Sequence, residues 1–424
     1  MRILYISQYY PPEANAPAVR VSQLASRWVR AGHDVTVLTG FPNAPDGRLP
    51  RAYWPGWLRG WQREVTDGVQ VVRTWLLPVP SGRGIQRMMS YGSFAMSSLV
   101  AATLLRRRDV VIATSPQLLV GLSGYWYARR KRVPFVFEVR DLWPESLSAV
   151  AASSSQSLVY RALRRLASML YTAADHVVTV TLPMRDRLAS DHHIPVERLT
   201  TIGAGVAPGS FTVPDGIKER VLEELGLAGC FTVGYVGTHG AAHGLDIVLD
   251  AAALLAKRDP NVRFVLAGAG ASKSNLVATA RARSLPNVVF LDPWPHALVP
   301  QLLAAMDVCL VSLRDALLFR TVLPTKLTEY MAAGRPTIAN VDGETRRVLE
   351  ESGAGVFVRP GDAEALADAV MFLQADPERR ERMGRAAVAY AERNFDRNRQ
   401  AAEYLDLLRS VVARTNPIAN GRDE

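Results

Sequence analysis

A lysine and a glutamate three residues apart, at the head of a helix-like stretch, carry the clearest chemistry in this sequence. The stretch LLFRTVLPTKLTEYMAAGRPTIA runs from residue 317 to 339. Pro324 and Thr325 mark a helix start, with Thr325 placed as the N-cap. Lys326 falls in the first turn and Glu329 on the same face. Gly334 closes the helix, and Pro336 precedes an apolar strand. A helix N-terminus offers free N–H groups and a positive dipole end, which suit a phosphate. Lys326 and Arg320 would add full charges. Glu329, a turn deeper, has the lone pairs to hold two vicinal hydroxyls, as on a ribose. The same residues also read as a capped surface helix with an i,i+3 ion pair.

Two further segments place polar residues where a ligand would meet them. GTHGAAHGLD (237–246) follows an apolar run and precedes a helix. Its Gly237, Thr238, His239 and His243 form a turn whose glycines let the backbone approach an anion. It is not the G-x-G-x-x-G fingerprint and lacks that motif's acidic ribose anchor. His239 and His243 are four apart, yet no H-E-x-x-H pattern or carboxylate pair accompanies them, so no metal is expected. RDLWPES (140–146) ends another apolar run, at the carboxyl edge of a sheet. Asp141 is its best placed carboxylate, with Glu145 next and Arg140 beside it. Asp141 reads equally as a helix cap or as the partner of Arg140. The first turn, SQYYPPEANAPAVR (7–20), has no Gly-rich loop. It carries Pro11, Pro12 and Glu13, with Arg20 in the following helix, and no residue in it stands out.

The elements that hold these residues alternate along all 424 positions. Apolar strand-length runs such as RILYIS, DVVIATS and PFVFEVR are separated by helical stretches such as 18–33. The pattern restarts at CFTVGYVG (230–237), with helices fitting 244–258, 297–305, 325–333 and 362–374. Continuous β-branched runs between helices mean parallel strands covered on both faces. The fold class is therefore α/β, with two Rossmann-like doubly wound domains facing across a cleft. Residues 1–208 form the first and 215–392 the second, with a Pro/Gly-rich linker across 208–220. Residues 393–424 form a C-terminal helix that packs back on the first domain. With 48% hydrophobic and 21% charged residues, the composition excludes a disordered, collagen-like or coiled-coil chain. Two distant cysteines, Cys230 and Cys309, make neither a disulfide framework nor a zinc site and point to a reducing cytosol. The start MRILYIS lacks the apolar core of a signal peptide.

Charge is unevenly shared. Residues 1–200 hold 25 basic and 13 acidic side chains, whereas 201–424 hold 25 and 27. A basic half implies an anionic partner, such as a nucleic acid, a membrane surface or a phosphorylated substrate. No nucleic-acid-binding motif accompanies it, so nucleic acid is not expected. Residues 88–105 form an 18-residue uncharged run ending at Arg106. Four serines and a glycine make it too polar to span a bilayer, and it reads as a domain helix that lies at an interface. RAYWPGWLRGWQRE (51–64) mixes Trp54, Trp57 and Trp61 with arginines, as headgroup regions favour. Pro55 and Gly56 predict a loop there.

Taken together, these motifs resemble family 4 glycosyltransferases of the GT-B fold. LPTKLTEYMAAGRPTIA resembles that family's signature, in which a Glu ahead of an A-x-G-x-P-x-I turn holds the nucleotide ribose. RFVLAGAG, PNVVFLDPWPHALVPQLLAAMDVCLVSL and GAGVFVRPGDAEALADAV follow the order of its nucleotide-binding domain. RDLWPES and GTHGAAHGLD resemble the branch of N-acetylfucosamine and colanic-acid-type transferases. The resemblance spans roughly residues 1–410. It departs at Thr321, where the family has a second Glu that helps hold the sugar. It departs at Thr238 and His243, where an Arg and a Lys commonly grip the diphosphate. Ala204 and Ala207 replace polar residues of the interdomain turn.

The resemblance implies a retaining transferase. It would move a hexose or N-acetyl-amino-deoxyhexose from a UDP-sugar to a polyprenyl-diphosphate-linked saccharide in exopolysaccharide or O-antigen synthesis. Arg320 and Lys326 would stabilise the leaving diphosphate. Gly237, Thr238, His239, His243, Thr325 and Glu329 would hold the donor. Asp141 would orient the acceptor hydroxyl or stabilise charge at the anomeric carbon, with Arg140 and Glu145 on the acceptor. No cofactor or metal is implied, and the chain would sit on the inner face of an anionic membrane. The alternatives are a UDP-sugar 2-epimerase of the same architecture and a non-catalytic nucleotide-sugar or lipid-binding protein.

Overall fold

The computed structural model describes residues 1–44, 47–80, 84–145 and 158–415. Ser146 of the RDLWPES motif and residues 416–424 of the predicted C-terminal segment lie outside the described residues. The chain forms two compact units. One comprises Met1–Gly203 and the described residues from Arg397, the other Ala204–Asp396.

The first unit is built on an eight-stranded sheet. Its strands are β1 (Arg2–Ile6), β2 (Asp34–Gly40), β3 (Trp61–Thr66), β4 (Val69–Thr74), β5 (Val110–Thr114), β6 (Phe135–Val139), β7 (His176–Thr179) and β8 (Leu199–Thr201). Their order is β3-β4-β2-β1-β5-β6-β7-β8, all parallel except the edge strand β3. β5 and β6 are buried along their whole length, as continuous apolar runs between two helical layers must be. Strand order reverses between β1 and β5, which opens a crevice outside their carboxyl ends.

Helix Ala16–Arg30 begins where Asn15 Oδ1 accepts the Ala18 N–H at 3.0 Å. Its face of Val21, Leu24, Ala25 and Trp28 enters the core. Helix Arg397–Thr415 covers that face. Trp28 Nε1 donates to the Ala401 carbonyl at 3.0 Å, and the Tyr404 ring meets Trp28 edge-on at 5.3 Å.

The second unit has six parallel strands, β9 (Phe231–Val236), β10 (Val262–Ala267), β11 (Val288–Leu291), β12 (Val308–Val311), β13 (Thr337–Ala339) and β14 (Gly355–Phe357). Their order is β11-β10-β9-β12-β13-β14, so the reversal lies between β9 and β12. The loops that follow these two strands are tied across it. Ser312 Oγ donates to the His243 carbonyl at 2.7 Å, and the Arg314 N–H to the Ala242 carbonyl at 2.9 Å.

Residues 51–64 are not a loop. They form helix Trp54–Arg59 and the start of β3. Pro55 suits the first turn of a helix, where no intrahelical N–H is needed, and Gly60 ends that helix at φ 86. The alternation of Trp61, Arg63 and Val65 with Gln62 and Glu64 then pairs with β4. All but the last residue of the uncharged run lies in helix Gly84–Leu104, and no helix among the described residues is long and apolar enough to cross a membrane. The expected linker at 208–220 already contains the start of helix Ile217–Glu224.

Candidate active site

At the carboxyl end of β9 the chain turns at Gly237, with φ 150. Three glycines make the turn possible. A Cβ on Gly268 would lie 1.9 Å from the Gly237 carbonyl oxygen, and one on Gly270 would lie 2.4 Å from that of His239. Backbone therefore stacks on backbone here, at positive φ, which L side chains resist. Thr238 is exposed, His239 is fully buried and His243 is partly buried.

Lys326 reaches this turn from helix Thr325–Ala332. Its Nζ lies 3.1 Å from the Cβ position of Gly237 and donates to the Tyr235 hydroxyl at 2.6 Å. The ammonium also sits 3.8 Å from the Tyr235 ring centroid, in a cation–π position. Tyr235 in turn donates to the Thr238 carbonyl at 2.8 Å, which joins the lysine to the turn. No ion pair among the described residues links Lys326 to Glu329. The Glu329 carboxylate accepts no hydrogen bond from the described residues, so its lone pairs stay free.

Burial sets the protonation states. It lowers Lys326 to about 7, against the opposing charge of Glu329. It raises Glu329 to about 7, against the opposing charge of Lys326. It lowers His239 to about 4, helped by the charges of Lys273 and Lys326, and His243 to about 3, helped by Lys326. Both imidazoles are therefore neutral at pH 7. Both His239 ring nitrogens and His243 Nδ1 are buried without a partner. No group of three metal-ligating side chains gathers among the described residues.

The expected helix cap is corrected. Pro324 is the N-cap and makes no side-chain cap bond, while Thr325 is the first helical residue and exposed. The ring of Pro324 holds φ at −60 and so starts the helix without a hydroxyl cap. Arg320 lies on the turn Leu317–Thr321, with its Nε 3.8 Å from Asp342 Oδ2. No hydrogen bond or ion pair joins it to the Lys326–Tyr235 group.

In the first unit, Arg140 and Asp141 follow β6. The N–H of Arg140 donates to Ser115 Oγ at 2.7 Å, which ties the loop after β6 to that after β5. Burial raises Asp141 to about 6, against the opposing charge of Arg140. The two side chains form no ion pair within 4 Å, and Arg140 Nη1 is buried without a partner. Glu145 is partly buried beside Tyr171, Arg187 and His192.

Behind these residues lies a buried charge network that the sequence reading passed over. Glu138 accepts from Arg20 Nε at 2.9 Å, Tyr5 Oη at 2.8 Å and Thr114 Oγ1 at 2.6 Å. Arg20 also donates to the carbonyls of Ile202 and Gly203. Burial pushes Glu138 upward, but the charges of Arg20 and Arg140 outweigh it and hold the carboxyl below its usual range. The available signal was a lone Glu inside the apolar run PFVFEVR and a lone Arg on the buried face of the first helix. Tyr235 was missed as well, because an aromatic in a strand reads as core.

Comparison with known proteins agrees with this two-unit fold. The model of glycosyl transferases group 1 matches residues 223–389, and the glycosyl transferase 4-like domain matches residues 15–205. An alpha-D-kanosaminyltransferase of Streptomyces kanamyceticus is 29% identical over 214 residues, 50% of this chain and 54% of that one. WbjE of Pseudomonas aeruginosa, named a probable glycosyltransferase, is 28% identical over 267 residues, 62% of this chain and 65% of that one. The chain thus spans between half and two thirds of these curated relatives. Crystalline HepE of Anabaena, in complex with UDP-glucose, superposes with a TM-score of 0.70 at 19% identity, covering 96% of this chain and all of that one. With both halves matched and two parallel-sheet units of this topology, the chain belongs to the family 4 glycosyltransferases of the GT-B fold.

Proposed function

We propose that the protein is a retaining glycosyltransferase that uses a UDP-sugar. One observation carries the reading: Lys326, at the start of helix Thr325–Ala332, reaches the glycine turn after β9, while Glu329 one turn on keeps an unengaged carboxylate. A diphosphate placed against the turn meets the lysine and the helix N–H groups, and the ribose hydroxyls meet Glu329. The neutral imidazoles of His239 and His243 offer hydrogen bonds to the donor without adding charge. That HepE crystallised with UDP-glucose supports UDP as the carrier nucleotide.

In the reaction the bond from the anomeric carbon to the diphosphate breaks, and the diphosphate gains charge as it leaves. Lys326 and the helix N-terminus stabilise that charge, a contribution of typically a few kcal/mol per contact. The acceptor hydroxyl attacks from the face the diphosphate vacates and passes its proton to a diphosphate oxygen, so configuration is retained. Asp141, whose carboxyl burial raises to about 6, orients the acceptor, with Arg140 and Glu145 as further contacts. The acceptor we favour is a polyprenyl-diphosphate-linked saccharide on an anionic membrane surface, in exopolysaccharide or O-antigen synthesis. The Arg-rich first 200 residues support an anionic acceptor and surface.

The test is incubation of the full chain with a panel of UDP-sugars, with and without isolated bacterial membranes, following sugar transfer to lipid. The reading expects UDP release and labelled lipid only when membranes are present. An epimerised UDP-sugar formed without acceptor would favour the epimerase. Tight UDP-sugar binding with no turnover on any acceptor would favour a binding protein.

A further inference from the structure

The helix Gly84–Leu104 is inside out. Among its residues with described side chains, every exposed one is apolar: Met89, Met96, Val100 and Leu104. Its serines turn inward instead. Ser98 is fully buried and hydrogen-bonded to Ser123 at 2.8 Å, and Ser97 donates to the Trp75 carbonyl. A helix on an aqueous surface shows the opposite pattern, with polar groups outward. The spacing of seven, four and four places the four apolar side chains in one stripe, about 22 Å long at 1.5 Å per residue.

The helix is tied to the Trp-rich segment on its inner side. Trp75 and Leu76 lie between the two: Trp57 stacks on Trp75 at 5.8 Å and donates to the Leu76 carbonyl at 2.9 Å. From the other side, Ser93 Oγ accepts the Leu77 N–H at 2.9 Å. Beyond Trp57 the exposed residues are Trp54, Leu58, Trp61 and Val65, interleaved with Arg51, Arg59 and Arg63. Exposed apolar surface of this extent on a soluble protein marks a contact site.

Charge identifies the occupant. Residues 47–108 contain ten arginines and only two carboxylates, Glu64 and Asp67. Glu64 is already engaged by Arg73 at 2.8 Å. Arg51, Arg59 and Arg106 are exposed and form no ion pair among the described residues. A second copy of this chain would bring the same arginines together and repel. Apolar side chains among unpaired arginines match an anionic bilayer instead, where Trp, Met and Leu enter the acyl boundary and guanidinium groups meet phosphates.

We propose that the stripe Met89–Leu104, with the Trp54–Val65 segment beside it, is a docking face for an anionic lipid bilayer. It names the surface by which a lipid-linked acceptor of the preceding section would be reached. Its test uses neither acceptor nor sugar, so it stands or falls apart from the donor chemistry.

The full chain is mixed with phosphatidylcholine vesicles, either pure or with about a third phosphatidylglycerol, and bound protein is separated by flotation. Binding to the anionic vesicles is expected, weakening as salt is raised. Met96→Asp combined with Leu104→Asp is expected to reduce partitioning by at least roughly 10-fold. Arg59→Glu combined with Arg106→Glu is expected to reduce it by roughly 10- to 30-fold. All four positions are exposed, so thermal midpoint and UDP affinity should match wild type. Equal binding to neutral and anionic vesicles, no binding to either, or unaltered binding by the Asp variant would overturn the proposal. So would an Asp variant that changes only the oligomeric state in sedimentation, since a second copy would then cover the face.

Discussion

In the proposed reading, Lys326 supplies a charge to the nucleoside diphosphate and Glu329 an acceptor for its ribose. Removing the lysine takes away a charge that matters most as the diphosphate leaves. Lys326→Ala should therefore cut turnover by roughly 10²-fold in steady-state assays, with a smaller effect on donor KM. Glu329→Ala should chiefly raise the donor KM, because the ribose is held alike in ground and transition states. Both groups titrate near 7, and both make the site more negative as pH rises. Above that point the free site has a neutral lysine and an ionised glutamate, so if UDP binds to the charged lysine as proposed, binding should take up a proton. UDP affinity should thus fall as pH rises above about 7. Calorimetry in buffers of different ionisation heat would register the uptake, and Lys326→Arg should remove much of it because a guanidinium keeps its proton.

The elements around these residues turn a lysine into a placed lysine. Tyr235 lies near the end of a strand that carries its hydroxyl to both Lys326 and Thr238. Tyr235→Phe keeps the ring and removes both bonds, so its predicted signature is a lower kcat with stability reduced by about 1 kcal/mol for each bond lost. The glycine turn is stricter. Gly268→Ala drives a methyl group into the Gly237 carbonyl at positive φ. It should cost several kcal/mol of stability, on the order of 2–4, and weaken UDP binding together with the melting temperature. The neutral histidines add a pH effect. Their folded values, about 4 and about 3, lie below the ordinary 6.5, so the unfolded chain binds more protons between about 3 and 6.5. Stability present above 6.5 should be lost as pH falls through that window, and His243→Gln should lessen the slope.

On the scale of the whole chain, the last helix belongs to the first unit, although nearly 200 residues of the second separate them in sequence. Ala401, Tyr404, Leu405, Leu408 and Val411 complete the core around Trp28 and β1. Burial of five such side chains contributes on the order of 10 kcal/mol, comparable to the total stability of a domain. Ending the chain at Asp396 should therefore unfold the first unit and leave the second intact. In calorimetry one of two transitions should vanish, while UDP binding persists. The buried Arg20–Glu138 pair makes the same point within the unit. Glu138→Gln strands two buried charges, Arg20 and Arg140, and should cost about 3–5 kcal/mol, read as a lower midpoint of the first transition.

Much of this protein is local, and so legible along the chain. Parallel strands announce themselves as apolar runs because both their faces are buried, and helix Thr325–Ala332 because Pro324 and Gly334 bracket it. Lys326 and Glu329 share a face by helical spacing alone. What spacing cannot convey is which distant groups a side chain meets. Only the tertiary structure sends Lys326 to Tyr235 rather than to Glu329, because the β9 turn, 90 residues away, passes over the start of the helix. Only it pairs Glu138 with Arg20, since a charge in a core is tolerated when a partner from another element reaches it. The edge strand β3, and which side chains of the interfacial helix point outward, were hidden for a related reason. Which face of an amphipathic segment meets water depends on the neighbours that cover the other, and those neighbours come from elsewhere in the chain.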